Sequence, residues 1–318
     1  MGHALKRLIE NRYAAILTIA VVVIALPFVV PSTFYLRIAT LTFIFALAVL
    51  GLNLLMGFAG QVSLGHAGFF AIGAYAVAIG PTHLGVPAWA SLIAGAAVAA
   101  LIAFVVGRPI LKLKGHYLAV ATLGMGLLIG MVFTNEARWT GGPDGMPVSR
   151  LVLFGWIARG TQTWYWISGV TLALGALLAT NLINSPTGRA FRAIHDSEVA
   201  AAVLGVDVAR YKLIVFVLSA AYAAVAGAYL ALFDGLVTPA TAGFLRSIEF
   251  VTMAVLGGLG SVLGSVVGAA VLTVLPQVLT VFHDYETIAL GALMIAFMIF
   301  LRSGVVPGLA ALVGRRSS

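Results

Sequence analysis

The 318-residue chain contains no cysteine, and only 9% of its residues are charged. The first absence excludes a disulfide framework, thiol catalysis and cysteine-ligated metal. The second, beside 62% hydrophobic residues and a mean hydropathy of +1.10, places the chain in the polytopic membrane class. Also missing is a Gly-rich phosphate loop of the Walker type, so the chain carries no ATP site of its own. His3, His83, His116, His195 and His283 are scattered without metal-ligand spacing, and no metal site is expected. The formal net charge of +8 comes from basic residues strewn between apolar segments, not from a stripe with interleaved aromatics. It therefore reads as membrane topology and not as a nucleic-acid surface.

What is present is a succession of apolar runs, near 14–30, 38–56, 61–80, 87–107, 117–134, 163–182, 211–233, 248–257, 261–281 and 287–301. The first ends in Pro27 and Pro31 without a small-residue cleavage site, and is expected to be a retained span. The eighth is too short for a full crossing at about 1.5 Å per residue, so it must be a half-helix, a re-entrant segment or part of a kinked span. The expected architecture is an all-α, polytopic transmembrane bundle of about eight to ten spans, one domain over residues 1–318.

Sorting lysines and arginines by the positive-inside rule puts both termini in the cytoplasm. Arg108 to Lys114 and Asn184 to Lys212 are then inner loops. Arg37, Arg138, Arg150, Arg159 and Arg246 fall outside, as do Asp234 and Glu249. On this sorting the membrane interior holds almost no ionisable residue apart from His66. Asn135 to Gln162 is the longest external connection, and Trp139, Trp156, Trp164 and Trp166 suit an interfacial belt.

Two stretches are rich in glycine. Gly51 to Gly80 holds seven glycines together with Asn53, Gln61, Ser63 and His66, and Gly257 to Gly268 repeats the Gly and Ser spacing. Glycine at this density permits close helix approach or a break in the helix, and freed backbone groups must be buried in protein or line a wet cavity. Paired interrupted segments mark the substrate path in transporters with internal repeats. Asn53, Gln61, Ser63 and His66, beside an apolar wall including Phe58, Phe69 and Phe70, are therefore candidate pathway residues. Their alternative role is hydrogen-bonding between helices. Amide and hydroxyl dipoles suit passage of a zwitterion, which a fixed ion pair would hold too tightly. Ser63 is not a hydrolase nucleophile: the elbow needs glycine two residues before the serine, and Gln61 stands there.

The segment Asn184 to Lys212 stands apart. It gathers Arg189, Arg192, Asp196, Glu198, Asp207, Arg210 and Lys212 between two apolar runs. It opens on the turn cluster Ser185-Pro186-Thr187-Gly188 and continues as an amphipathic helix, with Phe191, Ile194 and Val199 to Val203 forming an apolar stripe. Such a segment lies outside the bilayer and suits the docking of a soluble partner.

The run from Asn53 to Tyr75, with Gly57-Phe58-Ala59-Gly60-Gln61-Val62-Ser63-Leu64-Gly65-His66-Ala67-Gly68 at its centre, resembles the branched-chain amino acid ABC transporter permeases, LivM type. The resemblance continues through Gly188-Arg189-Ala190-Phe191-Arg192, Glu198, Ala200-Ala201, Leu204-Gly205 and Gly257-Gly258-Leu259-Gly260-Ser261, and covers about residues 36–303. It implies a permease in the bacterial inner membrane, paired with a homologous LivH-type permease and served by a periplasmic binding protein. Two cytoplasmic ATP-binding subunits would consume ATP with Mg; the chain itself would hold no cofactor and no catalytic residue. It further implies that the loop carries the coupling helix, with Gly188, Arg189, Arg192, Asp196, Glu198, Ala201 and Gly205 as coupling residues. The general Glu-Ala-Ala…Gly pattern is only approximated, since Val199 intervenes and Gly205 falls seven residues after Glu198. A passive channel for urea or an amide, and an ion-coupled secondary transporter, are the alternative functions.

Overall fold

The computed structural model describes residues 14–29, 32–153, 155–279, 291, 304–306 and 308. These form an all-α architecture of 12 helices: α1 (Ala14–Val29), α2 (Thr33–Asn53), α3 (His66–His83), α4 (Ala88–Ile110), α5 (His116–Asn135), α6 (Ala137–Thr140), α7 (Thr161–Asn184), α8 (Pro186–Asp196), α9 (Glu198–Val203), α10 (Val208–Asp234), α11 (Phe244–Gly257) and α12 (Val262–Leu279). Four two-residue strands trim one end. β1 (Met146–Pro147) pairs antiparallel with β4 (Leu236–Val237), and β2 (Val152–Leu153) with β3 (Trp156–Ile157).

Five helices are long and apolar enough to cross a bilayer: α2 with its continuation to Phe58, α4, α5, α7 and α10. Their burial sorts them. The most apolar stretch of α2 is 89% buried, against 28% for α4 and 22% for α5. A helix apolar on every side belongs where protein surrounds it, and α2 is that helix, while α4 and α5 form an outer wall. α10 lies beside α2 and touches α3 and α4 as well. It starts where the Asp207 carboxylate accepts a hydrogen bond from the Arg210 N–H at 3.1 Å, and it ends at Gly235 with φ 74°. Between α3 and α10 the backbones touch. A Cβ on Gly73 would meet the carbonyl of Ala224, and one on Gly227 the carbonyl of Phe70. Reciprocal small residues of this kind let membrane helices gain dispersion contacts where lipid supplies no hydrophobic drive.

The expected span over 61–80 is not one helix. α2 continues as a π-helical turn, Leu54–Phe58, and the chain then runs irregularly through 59–65 before α3 begins at His66. Gly60, at φ 68°, takes the left-handed conformation that this turn requires. The short eighth run becomes α11, a helix of 14 residues. It is preceded by β4 and a 3₁₀ turn (Pro239–Ala242) and stopped by the irregular link 258–261. Gly257 packs on Gly264 and Gly268 on the Met253 carbonyl, so α11 and α12 run antiparallel. The expected span 287–301, apart from residue 291, and both chain termini lie outside the described residues.

Two further expectations change. Trp164 is not at an interface; it is buried against Tyr229 and Phe233, with ring centroids 6.0 and 6.4 Å away. The segment 184–212 is two short helices, α8 and α9, and its expected apolar stripe divides. Phe191 and Ile194 are buried, whereas Val199 and Val203 are 69% and 82% exposed.

Glycine at the α3–α10 crossing is a packing requirement, which a matched pair of substitutions checks. Gly227→Ala should destabilise the detergent-solubilised protein by about 1–3 kcal/mol through overpacking, read as a lower Tm. Gly124→Ala on α5, where an added Cβ meets nothing within 4 Å, should leave Tm unchanged or raise it. Equal effects at the two positions would refute the close crossing.

Candidate functional site

The two Gly-rich breaks meet, and Asn53 joins them. Its side chain is fully buried. Asn53 Nδ2 donates to the carbonyls of Ser261 (2.9 Å) and Gly258 (3.3 Å) and to Ser265 Oγ (2.8 Å), while its Oδ1 accepts from the Gly260 N–H at 2.9 Å. The irregular link 258–261 thus has its freed backbone groups satisfied by the last residue of α2, as non-helical backbone at membrane depth requires. Gly57 makes room for the junction, because a Cβ there would meet Asn53 Oδ1 and the Gly260 nitrogen.

The other sequence-predicted pathway residues lie in or after the irregular stretch, and all are buried. His66 opens α3, with Nε2 2.9 Å from the Ala48 carbonyl, Nδ1 3.4 Å from Ser219 Oγ, and its ring edge-on to Phe250. Phe69 packs edge-to-face on Phe216 at 5.6 Å. Ser63 is buried beside them in sequence. Gln61 differs from the rest: both polar atoms of its amide are buried without a hydrogen-bond partner. An orphaned amide costs about 1–3 kcal/mol, and a group held at such cost is a candidate for contact with something that arrives. The structure therefore gathers His66 with Phe69's helix, and sends Asn53 to the second Gly-rich run.

Beneath the first break sits the charged loop. α8 packs against the π-helical turn, and a Cβ on Gly60 would lie 3.3 Å from the Cα of His195. Ser185 caps α8 through the Gly188 N–H (3.4 Å), and Ser197 caps α9 through the Ala200 N–H (3.2 Å). Gly188 and Ala201 are buried under these helices, whereas Arg189, Arg192, Asp196 and Gly205 are exposed. Arg192 Nη1 donates to the Ile183 carbonyl at the end of α7, at 3.1 Å. Glu198 faces inward. It forms an ion pair with Lys212, whose side chain is nearly fully buried, and reaches Lys114 at 3.9 Å, tying α9 to α10 and to the α4–α5 connection. Val199, Val203 and Leu204 are left exposed beside it.

One pair escaped sequence reasoning. Arg246 and Glu249, sorted outside by the charge rule, belong to the first turns of α11, with Arg246 Nη1 donating to Glu249 Oε2 at 2.7 Å. The Arg246 guanidinium lies 5.3 Å from the ring centre of Phe45, the thirteenth of the 21 residues of α2. Between them in sequence, Ser247 Oγ accepts a hydrogen bond from the Ala67 N–H at the start of α3, at 3.2 Å. The pair therefore lies beside the middle of α2 and the start of α3. The available signal was opposite charge at i, i+3 across the start of the short eighth run. A cleft of about 460 Å³, lined by Leu127, Gly130, Met131, Thr134, Ala240 and Gly243, opens immediately before this helix.

Comparison with known proteins bears on the whole arrangement. Residues 34–300 match the family described as branched-chain amino acid transport system / permease component. The chain is 34% identical over 316 residues to the high-affinity branched-chain amino acid transport system permease protein LivM of Escherichia coli (strain K12), covering 92% of this chain and 74% of that one. It is 33% identical, with the same coverage, to LivM of Salmonella typhimurium (strain LT2). To the LivH permease protein of the same Salmonella strain it is 27% identical over 289 residues, 84% of this chain and 92% of that one. No solved structure shows significant similarity to it. With its helices apolar enough to span a bilayer and its broken segments joined at depth, the chain belongs to the branched-chain amino acid transport permease family, as a multi-pass membrane permease without an ATPase site.

Proposed function

We propose that this permease is one half of an inner-membrane importer for branched-chain amino acids, paired with a LivH-type permease, fed by a periplasmic binding protein and driven by two cytoplasmic ATP-binding subunits that use ATP with Mg. The chain is a single permease domain, about eight to ten spans with both termini cytoplasmic, and 184–212 is its cytoplasmic coupling loop. Support comes foremost from one contact, that of α8 and His195 with the π-helical turn and Gly60. A push on the loop is delivered to the first break, and through Asn53 to the second. Passive channels and ion-coupled carriers have no use for a capped, charged helix pair braced against a broken span.

In this reading Arg189, Arg192, Asp196 and Gly205, with the exposed Val199, Val203 and Leu204, present the surface to the ATPase, while Gly188, Ala201 and Glu198 hold that surface in place. Gln61, Ser63, His66 and Phe69 border the pathway, and Asn53 ties its two movable segments. In proteoliposomes holding both permeases, both ATPases and the binding protein, leucine uptake should require ATP. Uptake that persists after the ATPase subunits are omitted would overturn the proposal.

The role of Glu198 has its own check. Glu198→Lys sets a third cation against Lys212 and Lys114, and breaking a buried pair costs about 3 kcal/mol; uptake and substrate-stimulated ATP hydrolysis should both fall. Adding Lys212→Glu should restore both. If the double exchange rescues nothing, Glu198 meets the ATPase directly instead of bracing α9.

Gln61 is tested by labelling. The chain has no native cysteine, so Gln61→Cys can be probed with a water-soluble maleimide. Its labelling rate should differ between the nucleotide-free complex and one trapped with a non-hydrolysable ATP analogue. Complete protection in both states would remove Gln61 from the pathway.

A further inference from the structure

We propose that Arg246 and Glu249 form the station in the membrane that takes the two charged ends of the transported amino acid, the guanidinium receiving its α-carboxylate and the carboxylate its α-ammonium. The inference rests on the reading above that the cargo is a free amino acid. It begins from depth. Phe45, beside the guanidinium, lies about 18 Å along a helix of about 31 Å at 1.5 Å per residue, and Ser247 is bonded to the first turn of α3. Ionised side chains at such depth face a bundle interior or a water-filled cavity and mark a substrate or ion path.

The pair is also open. The side chains of Arg246 and Glu249 are 32% and 46% exposed in the isolated chain. A structural ion pair facing lipid would be costly on that open side, so the face must look onto water or onto protein that lines a passage. Leu245, one turn before Glu249 on α11 (i, i+4), is 74% exposed beside the pair. Two opposite charges within one hydrogen-bond length and an exposed leucine beside them match the chemistry of an amino acid whose side chain is a branched hydrocarbon. α11 also begins here, after an irregular segment, so its first N–H groups favour a carboxylate from the same side.

The test uses the whole complex in nanodiscs, with Leu245→Cys as reporter, since Leu245 is 74% exposed and the chain has no other thiol. Without the binding protein, millimolar leucine should slow maleimide labelling of this cysteine. 4-Methylpentanoate, which lacks the ammonium, and leucinamide, which lacks the carboxylate, should not. Arg246→Gln and Glu249→Gln should each abolish the leucine protection and lower ATP-dependent leucine uptake about tenfold or more. The exchanged pair, Arg246→Glu with Glu249→Arg, separates the roles: an ion pair that only holds helices together recovers uptake when reversed, whereas a station oriented for one end-to-end direction of the substrate does not. Recovery of uptake in the exchanged pair, or leucine protection that survives either single substitution, overturns the proposal. If the parent complex itself shows no ATP-dependent leucine uptake, the functional reading has failed and not this inference alone.

Discussion

A backbone that leaves the helix inside a membrane must find partners for every N–H and C=O it frees. In this permease that constraint falls on two places at once, 59–65 and 258–261, and one side chain answers for the second. Asn53 is the last residue of α2, so its position is set by a long buried helix, and its amide presents donors and an acceptor to a loop 205 to 212 residues further along the chain. Exchange of the amide for an apolar group would leave the 258–261 link with unpaired carbonyls in a dry core. The glycines around the junction follow from the same requirement: Gly57 lets backbone and amide touch, and Gly260 supplies the left-handed conformation, φ 75°, of the link.

Two breaks held together by one residue move together or not at all. The first break rests on α8, and α8 and α9 are fastened to the bundle from beneath, by Arg192 on the α7 terminus and by Glu198 on Lys212. Taking a lysine out of water is expensive, and the pair with Glu198 is what makes its burial tolerable. The same pair turns Val199, Val203 and Leu204 outward. On the proposed reading, a force applied to these exposed residues is carried by a short rigid lever into the only part of α2 and α3 that is not regular helix. Coupling of this kind needs no long chain of contacts, because the lever and the joint are adjacent.

Much of this was legible in the sequence. Apolar runs located most helices, the Gly-rich stretches located both breaks, and the charged segment located the loop. What was missed has physical causes. A helix and an irregular segment of similar hydrophobicity look alike in a run count, so 61–65 was absorbed into a span. Trp164 was taken for an interfacial residue because composition does not say which side of a helix faces Tyr229 and Phe233. Val199 and Val203 were assigned to a buried stripe because a single helix was assumed through 184–212, whereas Ser197 caps a new one and changes the phase.

The Arg246–Glu249 pair bears on how a zwitterion crosses an apolar wall. The expectation of a pathway lined only by amide and hydroxyl dipoles rested on the argument that a fixed ion pair would trap the cargo. The argument holds for two separate, uncompensated charges, which would bind the substrate with the whole of their unmet electrostatic energy. It does not hold for Arg246 and Glu249, which already neutralise each other at 2.7 Å. On the proposed reading, a substrate gains two ion pairs and forfeits one, along with its own hydration and that of the pair. Desolvation offsets most of the Coulombic gain for buried charges, so the difference between occupied and empty states is small. A small difference is what a carrier needs, since a site that binds strongly in one state releases slowly in the next. The i, i+3 spacing on a helix supplies this balance by geometry alone, because it keeps the two groups within reach of each other whenever the passage is empty.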